Sequence, residues 1–364
     1  MGLVRMAFEA SGFEVVFAND IDEKKHRIYS SNFGSPGYLL KDIRLLRGDQ
    51  IPDIEIATAS FPCTDLSLAG NRAGLHGEQS SLLIQFLRIL EEMGPRRPNL
   101  VFIENVLGFA SSNKGEDLST AISRLNALDF KCDVLVLDAR RFVPQSRPRL
   151  YIVATVDGLL KYGEQESSAL RPQWIETFAQ THPSLEMGAF PLPDPPTDSG
   201  RILQDLLEHI LPTESQWWDA DRLAGFYLNM SPTNSRRLEN MRVSETVRYA
   251  TAYRRTRHGK AVWEIRADQI SGCLRTARGG SSKQAVVEAG QGNVRVRWMA
   301  AREYARLQGA PDFDWGDASE SQAKFALGDA VCVPAVTWLA ENYIAPLLSS
   351  ARQPMAANPV LANV

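Results

Sequence analysis

The first 155 residues alternate short apolar runs with stretches in which apolar positions recur at helical spacing. The helical spacing occurs at 82–93 and 121–128 and predicts two amphipathic helices. The short apolar runs predict buried strands, and they lie at 13–18, 54–59, 99–103, 134–137 and 150–155. Strands that alternate with helices in this way predict an α/β fold with a doubly wound sheet.

Three chemically useful side chains directly follow predicted strands. Asp20, Cys63 and Glu104 each come just after an apolar run. Ligands of doubly wound sheets bind outside the carboxyl ends of the strands. We therefore expect these three residues to converge on one edge of the sheet.

The alternation stops near Gln173, and the proline-rich stretch 183–199 indicates a linker or an irregular insert. Residues 200–317 mix short elements, and a further helix is predicted at 333–348. The predicted divisions are a catalytic domain at 1–172, a linker with a second domain at 173–317, a segment returning to the catalytic domain at 318–348, and a disordered tail at 349–364.

Composition narrows the class of protein. Hydrophobic residues make up 44% of the chain and charged residues 23%, which excludes disordered and coiled-coil proteins. No apolar run reaches the roughly 18 residues that a membrane span needs, and Glu9 interrupts the stretch that a signal peptide would keep apolar. The cysteines have no CxxC spacing, which argues against structural zinc and disulfides; they are Cys63, Cys132, Cys273 and Cys332. We expect a cytoplasmic protein without a metal site.

Charge is distributed unevenly along the chain. Residues 236–297 hold 14 lysines and arginines against five acids, whereas the whole chain carries a net charge of −3. A basic segment on an acidic body suggests a polyanionic partner, above all nucleic acid. A solvated, arginine-rich surface accounts for the same composition, and composition alone does not separate the two interpretations.

Candidate chemistry lies in three short strings. Cys63 lies in a turn between a strand and a polar loop, where a thiol can be exposed and activated as a nucleophile; a buried core cysteine is the alternative. Glu104 places a carboxylate at the end of another strand. Arg147 and Arg149 place two guanidinium groups at alternate positions before a strand, a spacing that also occurs in ordinary surface charge.

Taken in order, these strings resemble the DNA (cytosine-5)-methyltransferase family of the bacterial restriction-modification type. The matching residues are Pro62, Cys63 and Ser67 of PCxxxS, Glu104, Asn105 and Val106 of ENV, and Gln145, Arg147 and Arg149 of QxRxR. Arg297 with 301–312 resembles the family's ninth block, and 328–331 resembles its tenth. The resemblance implies a Rossmann-like, S-adenosylmethionine-dependent methyltransferase domain with a smaller target-recognition domain.

The resemblance implies a covalent mechanism on a cytosine extruded from duplex DNA. The Cys63 thiolate would attack C6 and make C5 nucleophilic, and Glu104 would hold a proton on N3, as a carboxyl of raised pKa in a closed pocket can. Arg147 would contact the O2 edge of the base and stabilise the adduct. Arg149 would support the loop or bind the phosphate backbone.

The cofactor implied by the resemblance is S-adenosylmethionine. Asp20 would bind the ribose hydroxyls, as acids after the second strand do in dinucleotide folds, and Asp42 would contact the adenine. The full set of cofactor residues implied is Asp20, Asp42, Ile43, Pro62, Leu82, Asp329 and Ala330. Solvated acids at strand ends are the alternative for Asp20 and Asp42.

Two positions depart from the family pattern. The family's first block, DLFxGxGG, is matched only from Gly2, so the opening strand and most of its glycine turn are expected to be missing. Asp329 stands where the family usually has asparagine, which removes an amide donor near the cofactor carboxylate.

The basic segment contains a glycine-rich string, 272–284, in which backbone can approach phosphates closely while arginine and lysine side chains contact phosphates or guanine edges. A generic surface loop is the alternative. The DNA-binding residues predicted here are Ser67, Arg275, Arg278, Gly279, Gly280, Ser281 and Lys283.

The sequence thus predicts a monomeric methyltransferase that acts on cytosine C5 in double-stranded DNA, with a cognate restriction endonuclease acting separately. Two alternatives stay open. One is the tRNA-methylating branch of the same family, against which the long arginine-rich second domain argues. The other is a DNA-binding relic that keeps Cys63 but has lost the cofactor.

Overall fold

The computed structural model describes residues 1–61, 81–162, 168–257, 259–266, 268–275 and 283–352. The α-helices of these residues are α1 (Leu3–Ala10), α2 (Glu23–Phe33), α3 (Ser81–Met93), α4 (Gly108–Ser111), α5 (Glu116–Asn126), α6 (Gln173–Thr181), α7 (Ala220–Leu228), α8 (Pro232–Arg242), α9 (Ala301–Leu307), α10 (Glu320–Asp329), α11 (Val333–Leu339) and α12 (Ala345–Arg352). A π-helical turn, Ala340–Ile344, joins the last two.

The strands of these residues are β1 (Ala18–Asp20), β2 (Tyr38–Leu40), β3 (Ile56–Ser60), β4 (Leu100–Val106), β5 (Lys131–Asp138), β6 (Pro148–Thr155), β7 (Arg248–Arg257), β8 (Lys260–Arg266), β9 (Ala285–Gly290) and β10 (Asn293–Trp298). The chain divides into two compact units. Unit 1 holds Met1–Leu40, Asp138–Pro148 and Pro196–Thr337, and unit 2 holds Lys41–Leu137, Arg149–Pro195 and Trp338–Val364.

Unit 2 is built on a four-stranded sheet in the order β3-β4-β6-β5. Strand β4 is parallel to β3 and antiparallel to β6. Six of the seven residues of β4 are buried, as expected of a central strand covered on both faces. This burial explains why the strand appears in the sequence as one continuous apolar run.

Unit 1 contains two sheets. The parallel pair β1-β2 lies beside α2, which begins where Asp22 accepts hydrogen bonds from the backbone of Lys24 and Lys25. The second sheet is antiparallel, in the order β10-β9-β7-β8. It carries a separate hydrophobic cluster that includes Phe226, Trp263 and Val296.

Eight of the fourteen lysines and arginines of the basic segment lie in this antiparallel sheet, and several arginines of the segment pair with acidic side chains of the protein. Glu264 pairs with both Arg255 and Arg257, while Arg295 pairs with Glu288. The further pairs are Arg242–Glu239, Arg266–Asp268 and Arg297–Glu303. Six of the fourteen basic residues of the segment therefore already have an acidic partner.

The predicted α/β alternation is confirmed, with changes at several boundaries. Strand β4 continues to Val106 because its last residues pair with β6, so Glu104 lies within the strand rather than after it. Asp20 is the last residue of β1, which includes only Ala18 of the predicted strand 13–18. The expectation that Asp20 and Glu104 lie on one sheet is wrong, because β1 pairs only with β2 in a separate two-stranded sheet of the described residues. Helix α12 continues to Arg352, beyond the predicted end at 348.

One run of the described residues, Glu320–Ser350, has the length and apolar composition of a membrane span. This is weak evidence, because 67% of its most apolar window is buried inside the protein. The backbone also leaves the helical conformation at 330–332. Both features are those of core helices.

Candidate active site

Glu104 is positioned by the two neighbours of β4. It is in register with Ser60, the last residue of β3, and with Tyr151 of β6. Ser60 precedes Cys63 by three residues. Pro62, Cys63 and Ser67 themselves lie outside the described residues. The register thus brings the carboxylate beside the point where the chain leaves β3 toward the predicted nucleophile.

Arg149 holds this carboxylate. It lies opposite Val106, so it is a diagonal neighbour of Glu104 on the same face of the antiparallel pair. Its Nε lies 2.9 Å from Oε1 of Glu104, and the two side chains are 13% and 9% exposed. Among the described residues no second hydrogen-bond partner of Glu104 is seen, so Oε2 can receive a donor from a substrate.

Arg147 has different surroundings, within unit 1. Its guanidinium group is buried and donates to the carbonyl oxygens of Leu274 at 2.8 Å, Ala330 at 2.5 Å and Gly328 at 3.2 Å. Its backbone N–H donates to the Asp138 carboxylate at 2.8 Å. These N–H groups of Arg147 therefore donate to acceptors within the protein.

The sequence assigned the base contact to Arg147 and a supporting role to Arg149. The structure pairs Arg149 with Glu104 and surrounds Arg147 with backbone carbonyls. Both roles stay predictions. On this geometry we propose the reverse assignment, with the base contact at Arg149 and the supporting role at Arg147.

Gln145, the first residue of the QxRxR string, is fully buried in unit 1. Its side-chain amide donates to the Leu307 carbonyl at 2.7 Å and accepts from the Leu274 N–H at 3.1 Å. Gln308 is equally buried and donates to the carbonyls of Leu327 and Ala330. Both amides therefore fix backbone segments.

The acidic candidate cofactor residues of unit 1, Asp20 and Asp329, lie near the amino group of Met1. Asp20 accepts a hydrogen bond from the backbone of Asp22, and Asp329 lies 3.3 Å from the ammonium of Lys25. Burial lowers the pKa of the Met1 α-amino group to about 6, although the nearby carboxylates act in the opposite direction. Lys25 was missed by the sequence, because a single lysine on a polar helix carries no motif.

The candidate cofactor residues of unit 2 lie at a single turn and one helix. Asp42 accepts from the backbone and the guanidinium of Arg44, and these hydrogen bonds hold the pKa of its carboxyl below the usual range. Ile43 follows in a short 3-10 helix, and its carbonyl accepts from Arg88. Leu82 lies in the first turn of α3 and is half-buried.

The predicted DNA contacts are only partly within the described residues. Arg275 is exposed. Lys283 is half-buried, and its positive charge helps to lower the pKa of the Glu320 carboxyl. Arg278, Gly279, Gly280 and Ser281 lie outside the described residues. In the described part of the chain no cluster of three potential metal ligands is present.

Comparisons with known proteins bear on the whole chain. Residues 1–345 match the family described as C-5 cytosine-specific DNA methylase. The chain is 34% identical to the type II methyltransferase M.HhaI of Haemophilus parahaemolyticus over 154 residues, which is 42% of this chain and 46% of that protein. It is 26% identical to the type II methyltransferase M.Bsp6I of Bacillus sp. (strain RFL6) over 352 residues, 96% and 97% of the two chains.

Among solved structures, the S. pombe Dnmt2 methyltransferase superposes with a TM-score of 0.61 over 97% of both chains. The sequence identity is 19%, so this likeness shows the fold alone. The predicted fold class, a Rossmann-like methyltransferase fold, is confirmed.

Proposed function

This chain belongs to the C-5 cytosine-specific DNA methylase family and is a methyltransferase, and on that premise we propose that it methylates C5 of a flipped-out cytosine in a specific duplex DNA sequence. The observation that carries the proposal is the geometry at the end of β3. Ser60, the last residue of β3, is in register with Glu104 and precedes Cys63 by three residues. Glu104 is held by Arg149.

The proposed first step is attack of the Cys63 thiolate on C6 of the cytosine. A carbon–sulfur bond forms, and the electrons of the C5–C6 double bond make C5 nucleophilic. After C5 has received the methyl group, its proton leaves to a base. The C5–C6 double bond then re-forms, and the sulfur leaves as a thiolate.

Glu104 and Arg149 stabilise the base during this attack. Glu104 carries a proton at N3, so that negative charge does not accumulate on the ring. Arg149 fixes the orientation of Glu104 through Oε1, and its guanidinium group is the candidate donor to O2 of the base. A donor already held in place costs no reorganisation when the charge develops.

The acidic group of unit 1 fits a cationic cofactor such as S-adenosylmethionine. Asp329 lies 3.3 Å from the ammonium of Lys25, so this group of carboxylates can hold a positive charge. Asp20 would bind the ribose hydroxyls, and Asp329 with Ala330 would line the same region. In unit 2, Asp42, Ile43 and Leu82 would contribute to the adenine and methionine ends. When bound, S-adenosylmethionine supplies an electrophilic methyl group.

We further propose that the chain acts as a cytoplasmic monomer on double-stranded DNA, with a cognate restriction endonuclease acting separately. Residues 173–317 would form the linker and the target-recognition domain, in which Arg275, Lys283 and the residues between them contact DNA. The catalytic domain would be 1–172, completed by 318–348.

A trapping experiment tests the covalent step. Duplex DNA synthesised with 5-fluorocytosine cannot lose the C5 substituent as a proton, so the adduct should accumulate as a denaturant-stable protein–DNA complex. Wild-type protein with S-adenosylmethionine should give this complex, and Cys63→Ser should give none.

Cys132→Ala is the matched control. Cys132 is buried in β5, and burial raises the pKa of its thiol, so it is not a nucleophile. The control should trap as wild type does. Trapping by Cys63→Ser would disprove the covalent role of Cys63. Methyl incorporation into tRNA but not into unmethylated duplex DNA would show that the substrate is RNA rather than DNA.

A further inference from the structure

Arg147 joins two segments of unit 1 that are far apart in sequence. One Nη donates to the Leu274 carbonyl, and the other donates to the carbonyls of Gly328 and Ala330. Leu274 is followed by Arg275, the first exposed basic residue of the predicted DNA-binding string. Gly328 and Ala330 flank Asp329, a candidate cofactor residue.

The second contact closes the end of helix α10. The last carbonyls of a helix have no partners within it and need donors from elsewhere. Here no glycine follows the helix, and side chains supply the donors. Gln308 donates to Leu327 and Ala330, and Arg147 donates to Gly328 and Ala330. A buried guanidinium cation is favourable at this position because the carboxyl end of a helix carries partial negative charge.

The contact between Arg147 and the Leu274 carbonyl is one of several hydrogen bonds that hold the start of the string 272–284. The Ser271 N–H donates to the Pro144 carbonyl, and the Ser146 N–H donates to the Ser271 carbonyl. Gln145 accepts from the Leu274 N–H. The backbone that leads into Arg275 is therefore tied to the segment that carries Arg147.

We propose that Arg147 is a positioning residue that couples DNA binding at Arg275 to cofactor binding at Asp329–Ala330. The inference rests on the proposed function, since it needs both ligands. A ligand that fixes Leu274 also fixes the guanidinium group, and the guanidinium group then fixes the end of α10. Because coupling is reciprocal, each ligand increases the affinity of the other by the same factor.

Arginine is required because its planar fork reaches two directions at once. A lysine ammonium is a single point charge and binds only one of the two carbonyl groups well. Arg147→Lys therefore keeps a buried cation but loses the side-chain link between Leu274 and the end of α10.

The test measures the affinity for S-adenosylhomocysteine by calorimetry, with and without sheared unmethylated genomic DNA. For wild type we expect DNA to tighten this binding about tenfold, within the usual range of coupling between sites. Arg147→Lys should still bind each ligand, but the factor should fall to within about twofold of unity.

Arg302→Lys is the matched control. Arg302 also donates to two backbone carbonyls, Pro311 at 2.6 Å and Phe313 at 2.9 Å, but is bonded to neither of the two coupled segments. It should keep the wild-type factor. A variant that merely weakens the fold would change the thermal midpoint without removing the coupling.

A second measurement needs no variant. In wild type, S-adenosylhomocysteine should slow hydrogen exchange in the peptide that contains Leu274, and unchanged exchange there would overturn the proposal. Coupling that survives in Arg147→Lys would overturn it as well. A wild type that methylates DNA without coupling would disprove this inference alone, whereas one that neither binds S-adenosylhomocysteine nor methylates DNA would disprove the proposed function too.

Discussion

Two carboxylates of the unit 2 sheet each face an arginine, but only one of them is saturated. Asp133 on β5 is fully buried and binds Arg171 at 3.0 and 2.6 Å. Its other donors are the hydroxyls of Tyr162 and Tyr343 and the N–H of Phe190. Glu104 on β4 binds Arg149 through one oxygen, and no other partner is seen among the described residues.

The difference separates a pair that can only support the fold from one that can still bind a ligand. A buried carboxylate that accepts from every side has no capacity left for a substrate, and its surroundings restrict it to holding the fold. A carboxylate with one oxygen held and the other available, beside the end of a strand, can bind a ligand. An acid paired with an arginine can therefore have two different binding capacities in one sheet.

The largest expected effect is at Asp133. Asp133→Ala leaves Arg171 buried without its counter-charge, so the free energy of unfolding should fall by about 3–5 kcal/mol in urea denaturation. The control is Asp129→Asn, whose exposed carboxylate lies 3.6 Å from Arg97 and should cost about 0–1 kcal/mol. Equal losses in the two variants would show that the Asp133 network contributes no more than surface charge.

A smaller loss is expected from one donor of that network. Tyr343 donates to Asp133 at 2.6 Å, and burial raises the pKa of its hydroxyl well above the usual range, so it stays a donor. Tyr343→Phe should lower the free energy of unfolding by about 1.5–3 kcal/mol, the range for hydrogen bonds to charged groups. Urea denaturation beside Tyr162→Phe checks this, because the 3.1 Å bond of Tyr162 should cost less.

Glu104→Gln should cost about 1 kcal/mol of stability, because the amide still accepts from Arg149. The single-turnover rate of methylation should fall by at least about 100-fold, because the proton carried to N3 is lost. Affinity for a duplex with an abasic site at the target should not change. An unchanged rate would remove Glu104 from the mechanism, and parallel losses of stability, affinity and rate would make it structural.

The smallest effect is expected at Glu264, on the exposed face of the antiparallel sheet. Burial alone would raise the pKa of its carboxyl, but hydrogen bonds from Arg257 and Tyr253 hold it below the usual value of 4.5. Its contribution, about 1 kcal/mol at most, is therefore present above about pH 4.5 and lost as the pH falls through the folded-state pKa. Wild type and Glu264→Gln should differ in urea midpoint at about pH 7 and converge near pH 3; a constant difference would contradict this.

Much of the unit 2 sheet could be predicted from the sequence, because strands such as β4 and β6 are buried on both faces and appear as apolar runs. Strand β7 could not be predicted in the same way. Its core-facing residues, Ala250 and Ala252, are small and alternate with Tyr249, Thr251 and Tyr253, so no apolar run forms. Arginines at both ends of the strand make the segment appear mainly as positive charge.

The candidate site was predictable to the level of motifs but not of contacts. Arg147 and Arg149 are two residues apart, and spacing alone gives them similar roles. Their partners depend on where β6 begins, at Pro148, and on which carbonyls lie at the end of α10. Both depend on the tertiary structure and have no local signal in the QxRxR motif.

The antiparallel sheet keeps its hydrophobic cluster on one face and pairs Tyr253, Arg255 and Arg257 with Glu264 on the other. The exposed side chains of this second face, such as Arg255 and Arg257, can therefore be exchanged without repacking the first. This part of the sheet is a natural place for a randomised library, in which most members should remain folded.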